Sequence, residues 1–556
     1  MTDEETFDVV VVGSGFGGAV CAYRLADRSR SVLVLERGQP YPPGSFARTP
    51  TQMRDAFWAP AKRRFGLFEY WRFSDLRMMC ASGLGGGSLI YANVMLRKEE
   101  DTFVQENLAA GGRESWPIKL ADLEEHYKNV EKIQQPQVYP TGTKPYDSTP
   151  KTQAMGDAAD ALGLEAEHPP LAVLFAPTQH GDPAPGVPVP SNDLHGRPRS
   201  TCRLCGECDV GCNYGAKNTL DFTYLSAAKA AGAELRTCCE VETLKPLPGK
   251  KGYLVGYRQH LDAREGHPAG LLDPTDERRR TVRAKRVILA AGAVGSTRLL
   301  LANRRHLRKL SRALGTRVSA NGDAMAMLRD ARDGDGRRRL DPSFGPVITT
   351  SITVPADRSP SGRGYRIQDG GAPVLADWMW EGLELPKLPW RMRREIVRSI
   401  GGALTGRRNT NLSAALAEVF TDRSAALMPL LGNGRDVPDG KYVLRCGRLD
   451  LTWNADPSKE YYAGVERTFS DVAEALGAKI RMPPWRWVNR SMTIHPLGGC
   501  PMAKDEDSGV VNPWGEVFGH RGLYVADGAA MPGPVGANPS FTIAAFADRV
   551  ATGILK

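Results

Sequence analysis

Four cysteines between residues 201 and 212 have the spacing of a metal-binding loop. The stretch TCRLCGECDVGC follows the pattern C-x2-C-x2-C-x3-C, with its cysteines at Cys202, Cys205, Cys208 and Cys212. Bacterial ferredoxins bind iron–sulfur clusters with this run, whereas a structural zinc site prefers two separated pairs of ligands. No second cysteine run follows, so Cys212 either completes a 4Fe-4S cluster or leaves a 3Fe-4S one. The spacing therefore predicts a cluster, and reduced, packed thiols are the alternative.

His495 is the candidate for acid–base chemistry. The chain contains nine histidines, and this one opens the turn HPLGGC, residues 495–500. A turn rich in proline and glycine specifies backbone geometry rather than core packing, which favours a functional histidine over a buried structural one. A positioned base is needed wherever a bound hydroxyl must lose its proton during a reaction.

Residues 7–36, FDVVVVGSGFGGAVCAYRLADRSRSVLVLE, are the element expected to bind a dinucleotide. They predict a strand, a tight turn, a helix and a second strand, with Gly13, Gly15 and Gly18 in the G-x-G-x-x-G spacing. Gly13 allows the turn, and Gly15 lets the backbone approach a pyrophosphate. Glu36 closes the second strand, where an acid binds the adenosine ribose hydroxyls. Both NAD and FAD suit this unit.

Two further apolar runs end in small residues and are expected to add strands beside this unit. They are RVILAAGAVGSTRLLL, residues 286–301, and GLYVADGAAMPG, residues 522–533. Asp527 and Gly528 lie at the carboxyl end of the second strand, where ligands gather. An acid there can hold a polyol chain such as ribitol, which favours FAD. The remaining expected cofactor contacts are Val241 and Gly292.

The length and composition are those of a globular protein of two or three domains, with 556 residues, 41% hydrophobic and 24% charged. The longest apolar runs fall far short of the roughly 20 residues that cross a bilayer, and the acidic start MTDEETFDVVVVGSG does not resemble a secretory signal. We therefore expect a cytoplasmic protein with reduced or metal-bound cysteines. The net charge of +10 comes from scattered arginines without a recognition module, so no nucleic-acid partner is expected.

Four separated blocks resemble one enzyme family: GSGFGG (13–18), GLGGGSLIYANVMLR (83–97), HPLGGC (495–500) and YVADGAAMPGPVGANPSFTIAAFADR (524–549). Together they are similar to the glucose-methanol-choline flavin oxidoreductases, most closely to the bacterial cholesterol oxidase branch. The similarity is weak through residues 320–480. The resemblance implies an α/β fold in which a Rossmann-type FAD-binding domain carries an inserted α+β substrate-binding domain. The expected boundaries are 1–110, 200–318 and 482–556 for the FAD-binding domain, and 111–199 and 319–481 for the substrate-binding domain.

The resemblance also implies roles for named residues. Asn538 pairs with His495 to hold the substrate oxygen. The central part of the flavin is wrapped by Gly85, Gly86, Gly87, Ser88 and Asn93. Asn538 precedes Pro539 and the apolar pattern SFTIAAFADRVATGIL, so the sequence predicts Asn538 as a helix N-cap and Pro539 as the first helical residue, both beside the cofactor. The positive end of that helix would stabilise negative charge on the reduced flavin.

Cholesterol oxidases of this branch carry a glutamate in the substrate pocket, proposed to move a proton during double-bond isomerisation. The segment that aligns with it here is PVLADWMW, residues 373–380, and it carries Asp377 instead. The resemblance implies a catalytic role for Asp377, and a surface aspartate is the alternative.

The sequence thus predicts an FAD-dependent oxidoreductase that oxidises a bulky apolar alcohol, such as a 3-hydroxysteroid, to the ketone. A long-chain or terpenoid alcohol is the alternative substrate, and an FAD-containing lyase without net redox chemistry is the alternative class. The electrons go to O2 or to an external acceptor, the latter through the iron–sulfur cluster. Aromatic residues beside cations in 57–73 and 376–394 predict a transient contact of the pocket mouth with a membrane surface.

Overall fold

The largest sheet of the protein carries a parallel core. The computed structural model describes residues 5–106, 112–260, 278–334, 336–373, 426–483 and 491–556. Its largest sheet has seven strands. Five of them lie parallel, in the order Glu234–Arg236, Val32–Leu35, Thr6–Val12, Arg278–Leu289 and Leu523–Val525. The hairpin Cys239–Pro246 and Tyr253–Gln259 extends the sheet antiparallel from the first half of Arg278–Leu289.

The strand sequences explain why this sheet lies in the core. The first two strands, TFDVVVV and VLVL, end in buried, mostly β-branched residues. Such continuous apolar runs are typical of parallel strands that are covered on both faces. Helix Gly292–Ala302 follows the longest strand and packs on Cys239–Pro246. Four other helices pack on one another beside the sheet: Phe16–Ala26, Glu124–Gln134, Tyr224–Ala230 and Ser540–Leu555.

Close backbone contacts hold the ends of the parallel strands together. Gly13 follows the first strand with a φ of +96°, and a Cβ there would lie 2.4 Å from the carbonyl oxygen of Ala290. A Cβ at Gly17 would lie 2.0 Å from the carbonyl oxygen of Ala526. Neither position leaves room for a side chain. The segment after the first strand therefore packs, backbone against backbone, on the loops after two other strands.

A second sheet is antiparallel and has six strands. Their order is Lys479–Arg481, Ala324–Arg329, Met428–Gly434, Tyr365–Asp369, Ser351–Val354 and Glu165–Glu167. Helices Pro150–Leu162 and Lys459–Ala475 pack on each other and on this sheet. The second helix buries an apolar stripe that includes Tyr461, Val465 and Phe469.

Smaller elements accompany the two sheets. A three-stranded sheet has the order Ser491–Thr493, Leu76–Ala81 and Phe68–Arg72. Besides short 3-10 helices, the described residues also form helix Pro50–Asp55 and the strand pairs Trp58–Ala59 with Arg64–Phe65, Val104–Glu106 with Arg113–Ser115, Pro188–Val189 with Arg199–Ser200, Arg332–Asp333 with Gly336–Arg337, and Lys441–Arg445 with Arg448–Thr452. Within the described ranges no helix is long and apolar enough to cross a membrane.

The predicted fold class is confirmed: a Rossmann-type parallel sheet is accompanied by a separate α+β part. Every strand of the seven-stranded sheet falls within 1–110, 200–318 or 482–556, and every strand of the six-stranded sheet falls within 111–199 or 319–481. The exact domain boundaries stay a prediction. The two sheets are interleaved along the chain, so a site between them can draw residues from both.

A buried carboxylate joins three of the helices. Asp548 accepts hydrogen bonds from Arg24, from His126 Nδ1 at 2.6 Å and from Asn129 Nδ2 at 3.0 Å. Burial acts to raise the pKa of Asp548, but the hydrogen bonds from His126 and Asn129 and the charge of Arg24 outweigh burial and leave that pKa lowered. Asp548 therefore contributes stability in its ionised form.

We expect Asp548→Ala to lower the thermal unfolding midpoint at neutral pH, because breaking a buried ion pair costs about 3–5 kcal/mol. A group with a lowered pKa contributes this stability only above its ordinary titration range, so the difference from wild type should shrink below about pH 4. Scanning calorimetry across this pH range measures both effects. Asp160→Ala, at an exposed helical aspartate, is the matched control and should change little. An unchanged midpoint in Asp548→Ala would contradict the prediction.

Candidate active site

A cavity of about 440 Å³ lies at the carboxyl ends of the parallel strands. Parallel sheets place ligand sites at this edge, because the loops that follow the strands converge there. Residues after four of the five parallel strands line the cavity. The sequence-predicted residues on its wall are Gly13, Gly15, Glu36, Gly86, Gly87, Val241, Gly292, His495, Asp527, Gly528, Asn538 and Pro539. Gly18, Gly85, Ser88 and Asn93 are not on the wall.

The start of helix Phe16–Ala26 offers a place for a pyrophosphate. The helix begins after Gly15, and no side chain caps its first backbone N–H groups. A Cβ at Gly15 would meet nothing nearer than the Cα of Gly86, at 4.0 Å. Exposed N–H groups at a helix start bind anions. Gly18 has another role, because a Cβ there would lie 2.0 Å from the carbonyl oxygen of Gly13.

Glu36 presents a fixed carboxylate to the cavity. It is buried and accepts hydrogen bonds from the backbone N–H of Ser14 at 3.0 Å, the hydroxyl of Ser14 at 2.7 Å and the N–H of Gly38 at 2.8 Å. Each carboxylate oxygen has two acceptor positions, so these contacts leave capacity for a hydroxyl of a ligand. The arrangement fits a ribose diol.

Asp527 ties two strand ends together. Its carboxylate accepts hydrogen bonds from the N–H of Gly292 at 2.8 Å, the hydroxyl of Ser296 at 2.6 Å and the N–H of Ala529 at 2.9 Å. Burial raises the pKa of Asp527 to about 6, against the opposing effect of these hydrogen bonds. Asp527 and Gly528 thus lie on the cavity wall, at the strand end where the sequence places them.

The glycine-rich turn forms another part of the wall. Gly85 and Gly86 have positive φ angles of 113° and 54°, and the Ser88 hydroxyl donates to the carbonyl oxygen of Gly85 at 2.7 Å. Ser88 therefore stabilises the turn without lining the cavity, whereas Gly86 and Gly87 lie on the cavity wall. Asn93 is fully buried, and neither atom of its side-chain amide has a hydrogen-bond partner within the described part of the chain.

These residues fit FAD. A buried carboxylate suits the adenosine ribose, an uncapped helix start beside a side-chain-free gap suits the pyrophosphate, and a glycine turn on the cavity wall suits the flavin. Glu36, Gly15 and the turn at 85–88 would hold the cofactor. The roles of the individual residues stay predictions.

His495 follows the strand Ser491–Thr493 and reaches the same cavity. Its Nδ1 lies 2.8 Å from Oδ1 of Asp323, whose side chain is fully buried. An ionised carboxylate only accepts hydrogen bonds, so the proton of the neutral imidazole lies on Nδ1 and Nε2 is left as the acceptor. The geometry therefore suits a general base.

Asn538 lies on the cavity wall, and its amide pairs with Gln368. Gln368 Nε2 donates to Asn538 Oδ1 at 2.9 Å, and Asn538 Nδ2 donates back at 3.2 Å. The predicted N-cap role of Asn538 is wrong. The helix begins at Ser540, Pro539 occupies the cap position, and no side chain caps it. The amide is satisfied by Gln368 of the second sheet rather than by the helix start.

The four cysteines of the predicted metal loop line one small void of about 20 Å³. The N–H of Leu204 donates to Sγ of Cys202 at 3.4 Å, and backbone N–H groups of Glu207 and Val347 donate to Cys205 and Cys208. Burial raises the pKa of Cys205 to about 12. Across the described residues, no three His, Cys, Asp or Glu side chains are grouped so as to hold a metal ion.

A buried lysine connects this loop with the glycine turn. Lys217 Nζ donates to the carbonyl oxygens of Leu89 at 3.2 Å, Tyr91 at 2.9 Å and Cys208 at 2.9 Å. Burial lowers the pKa of Lys217, although nearby acidic groups oppose that effect. The cysteine loop therefore lies next to the part of the wall that fits the flavin.

Sequence reasoning missed Asp323 and Gln368. Both lie between residues 320 and 480, where the family resemblance is weak. Asp323 follows Asn-Gly directly before a strand, which predicts a turn but no role. Asp377 lies outside the described residues, so its predicted role stays a prediction.

We expect Glu36→Ala to weaken FAD binding about 10- to 100-fold, because a hydrogen bond to a charged group contributes about 1.5–3 kcal/mol. Titration of the apoprotein with FAD, followed by flavin fluorescence, measures the change. Glu234→Ala, at an exposed residue of the same sheet, should bind FAD as the wild type does. Equal affinity of Glu36→Ala and wild type would remove Glu36 from the cofactor site.

Comparison with known proteins agrees with this geometry. The family model described as FAD dependent oxidoreductase matches residues 8–167, and models described as GMC oxidoreductase match residues 184–303 and 451–547. A cholesterol oxidase of Mycobacterium tuberculosis is 29% identical, with 98% of this chain and 90% of that protein covered. A long-chain-alcohol oxidase of Arabidopsis thaliana is 24% identical, with 99% and 68% covered.

A solved structure supports the fold. The crystal structure of a formate oxidase superposes with a TM-score of 0.59 at 14% identity and covers 100% of this chain and 99% of its own. At this identity the likeness shows the fold alone. The matched family models and the relatives show that the chain belongs to the glucose-methanol-choline (GMC) family, that it is an FAD-dependent oxidoreductase acting on alcohols, and that its sequence is cholesterol oxidase-like.

Proposed function

We propose that this enzyme oxidises a bulky apolar alcohol, with 3-hydroxysteroids such as cholesterol as the leading class, to the ketone. The observation that carries the proposal is the imidazole of His495, held by Asp323 on the wall of the cavity that fits FAD. Bound FAD supplies the hydride acceptor. The protein must then remove one proton from the substrate hydroxyl and hold its oxygen.

His495 and Asn538 divide these two tasks. Nε2 of His495 takes the hydroxyl proton as the hydride leaves the carbinol carbon, so that one proton and one hydride are removed together. The Asn538 amide carries two N–H groups, and one of them donates to Gln368. The second N–H remains to donate to the substrate oxygen. The pair thus orients the alcohol and accepts its proton.

Two considerations support an apolar substrate. Relatives of this chain are named as a cholesterol oxidase and a long-chain-alcohol oxidase. The cavity wall also carries large apolar side chains, namely Phe68, Trp71, Met79, Ile90, Met492 and Ile494. A long-chain or terpenoid alcohol is the second candidate substrate, on the strength of the long-chain-alcohol oxidase.

We further propose that the substrate enters from a membrane surface. Phe57 and Tyr70 are 40% and 44% exposed, and Ile494, next to His495, is 36% exposed. Exposed aromatic and aliphatic side chains beside cations suit a contact with lipid headgroups. A cytoplasmic enzyme that touches the membrane briefly would meet sterols or long-chain alcohols there.

The cysteine loop is proposed to hold an iron–sulfur cluster that passes electrons to an external acceptor. The support for the proposal is the C-x2-C-x2-C-x3-C spacing and the backbone N–H groups that donate to three of the four sulfurs, and the void of about 20 Å³ between them would have to widen to admit a cluster. Lys217 links this loop to the glycine turn, which keeps the two sites close. Direct reaction with O2, with packed thiols at 202–212, is the alternative.

The test of the reaction is anaerobic addition of cholesterol to the FAD-loaded enzyme. We expect the flavin absorbance to bleach with the wild type, whereas a lyase would turn over with its flavin still yellow. We expect His495→Gln to retain FAD and to slow bleaching about 100- to 10,000-fold, because a positioned base is lost. Stopped-flow absorbance measures the rate.

The same bleaching assay with hexadecanol in place of cholesterol separates the two substrate classes. Faster bleaching by cholesterol supports a steroid substrate, and faster bleaching by hexadecanol supports a long-chain alcohol. His180→Gln, at an exposed histidine, is the matched control and should bleach at the wild-type rate. Bleaching of FAD-replete His495→Gln at nearly the wild-type rate would exclude this histidine from the mechanism.

The cluster is tested by Cys205→Ser in anaerobically purified protein. We expect the variant to lose iron and acid-labile sulfide but keep FAD, because the FAD-site residues lie in other segments. Electron transfer to an external acceptor should slow more than flavin reduction. Metal analysis, sulfide analysis and stopped-flow kinetics give the three readouts.

Cys446→Ser, at an exposed cysteine, is the control and should retain the metal. Absence of iron from the wild type, even after reconstitution with iron and sulfide, would exclude the cluster. If Cys205→Ser then lowered only the stability of the protein, the loop would be assigned to packed, reduced thiols.

A further inference from the structure

We infer that Asp323 is a positioning residue for His495: its carboxylate fixes the imidazole ring so that Nε2 faces the substrate as the proton acceptor. The inference rests on the proposed function, in which His495 is the base. Asp323 does not itself reach the cavity wall, so it acts through the histidine.

The first support is the set of hydrogen bonds that Asp323 accepts. Oδ1 lies 2.8 Å from His495 Nδ1, and Oδ2 accepts from the Thr493 hydroxyl at 2.8 Å and from the N–H of Ile494 at 3.0 Å. These donors belong to three consecutive residues. Thr493 closes the arrangement, because its hydroxyl accepts from the N–H of His495 at 2.8 Å. One carboxylate thus fixes both the ring and the backbone that carries it.

The second support is the position of Asp323 in the fold. It precedes the strand Ala324–Arg329 of the six-stranded sheet and is fully buried. The loop before it is braced by Asp436, which accepts from Ser319 Oγ, from the N–H of Ala320 at 2.8 Å and from the N–H of Gly322 at 3.1 Å. A carboxylate on such a braced loop has little freedom to follow a moving histidine.

The same loop also reaches the segment before Asn538. Asn321 Oδ1 accepts from the N–H of Val535 at 2.9 Å, and its Nδ2 donates to the carbonyl oxygen of Ala537 at 2.9 Å. The loop at 319–323 therefore contacts the segments that carry His495 and Asn538. Its location between them is what a positioning element requires.

The physical consequence concerns the tautomer and the charge of His495. A carboxylate at Nδ1 selects the tautomer with a basic Nε2, and it stabilises the imidazolium formed when the substrate proton arrives. The other titratable groups that act on this pair are Asp436 and Tyr461 beside Asp323, and Asp209 beside His495. Asp436 and Asp209 are carboxylic acids, and Tyr461 is a buried phenol. Removing the charge of Asp323 therefore removes the anion that contacts the ring directly.

The test is Asp323→Asn, which keeps the shape of the side chain and removes its charge. An amide donates from Nδ2, so it can reverse the tautomer of His495 by donating to Nδ1. We expect flavin reduction to slow about 10- to 100-fold, as for other residues that orient a reacting ligand. Substrate affinity and FAD content should change little.

Two readouts separate positioning from a merely structural role. Nitrogen-15 NMR of the histidine ring should show the proton on Nδ1 in the wild type and on Nε2 in Asp323→Asn. The pH at which flavin reduction reaches half its maximum should fall in the variant, because the imidazolium loses its neighbouring anion.

The control is Asp436→Asn, because Asp436 braces the same loop without touching His495. It should lower stability and leave the ring tautomer unchanged.

A wild-type rate, tautomer and pH profile in Asp323→Asn would overturn the inference. If Asp323→Asn does not fold, Thr493→Val serves instead. Loss of that hydroxyl leaves the carboxylate and the backbone at His495 less firmly held, so flavin reduction should slow several-fold without loss of FAD, and a wild-type rate would again overturn the inference. Failure of the proposed function is distinguishable, because it would appear as rapid flavin reduction by His495→Gln. An inactive His495→Gln with a wild-type Asp323→Asn removes the positioning role alone.

Discussion

Contact between backbones, with no side chain between them, is the constraint on which the cofactor site depends. Gly13 and Gly17 allow the segment after the first strand to pack on the carbonyl oxygens of Ala290 and Ala526. The ends of the neighbouring parallel strands are thereby brought to one place. A larger residue at either glycine would separate these loops, and the acids at 36 and 527 would no longer face one cavity. The chemistry of the site is therefore set by a backbone-packing requirement within its own wall.

The two catalytic candidates depend on both sheets at once. His495 and Asn538 belong to segments around the parallel sheet, whereas their partners Asp323 and Gln368 belong to the antiparallel one. Each of these two side chains is thus held by a hydrogen bond that crosses from one part of the fold to the other. Substrate-site geometry and the fit between the two sheets cannot vary independently. A substitution in the second sheet can change the reaction without contacting substrate.

The strand–turn–helix–strand unit that binds the cofactor could be predicted from the sequence, because its signals are local. Valines, spaced glycines and one acid within 30 residues specify the turn at Gly13 and the place of Glu36. Asp323 and Gln368 could not be predicted, because their partners lie more than 150 residues away and only the folded chain brings them together. The expected cap at Asn538 failed for the same reason: a distant glutamine competes for its amide. Local patterns therefore predict elements, and tertiary contacts decide which polar groups those elements satisfy.

Lys217 makes the cysteine loop and the glycine turn one mechanical unit. One ammonium holds carbonyl oxygens of the glycine turn and of Cys208, so a shift of either loop strains hydrogen bonds that the other loop shares. The lysine is buried and its partners are backbone carbonyls, so the link does not depend on which side chains occupy the two loops. The two loops should therefore loosen together on heating, as one local unfolding event.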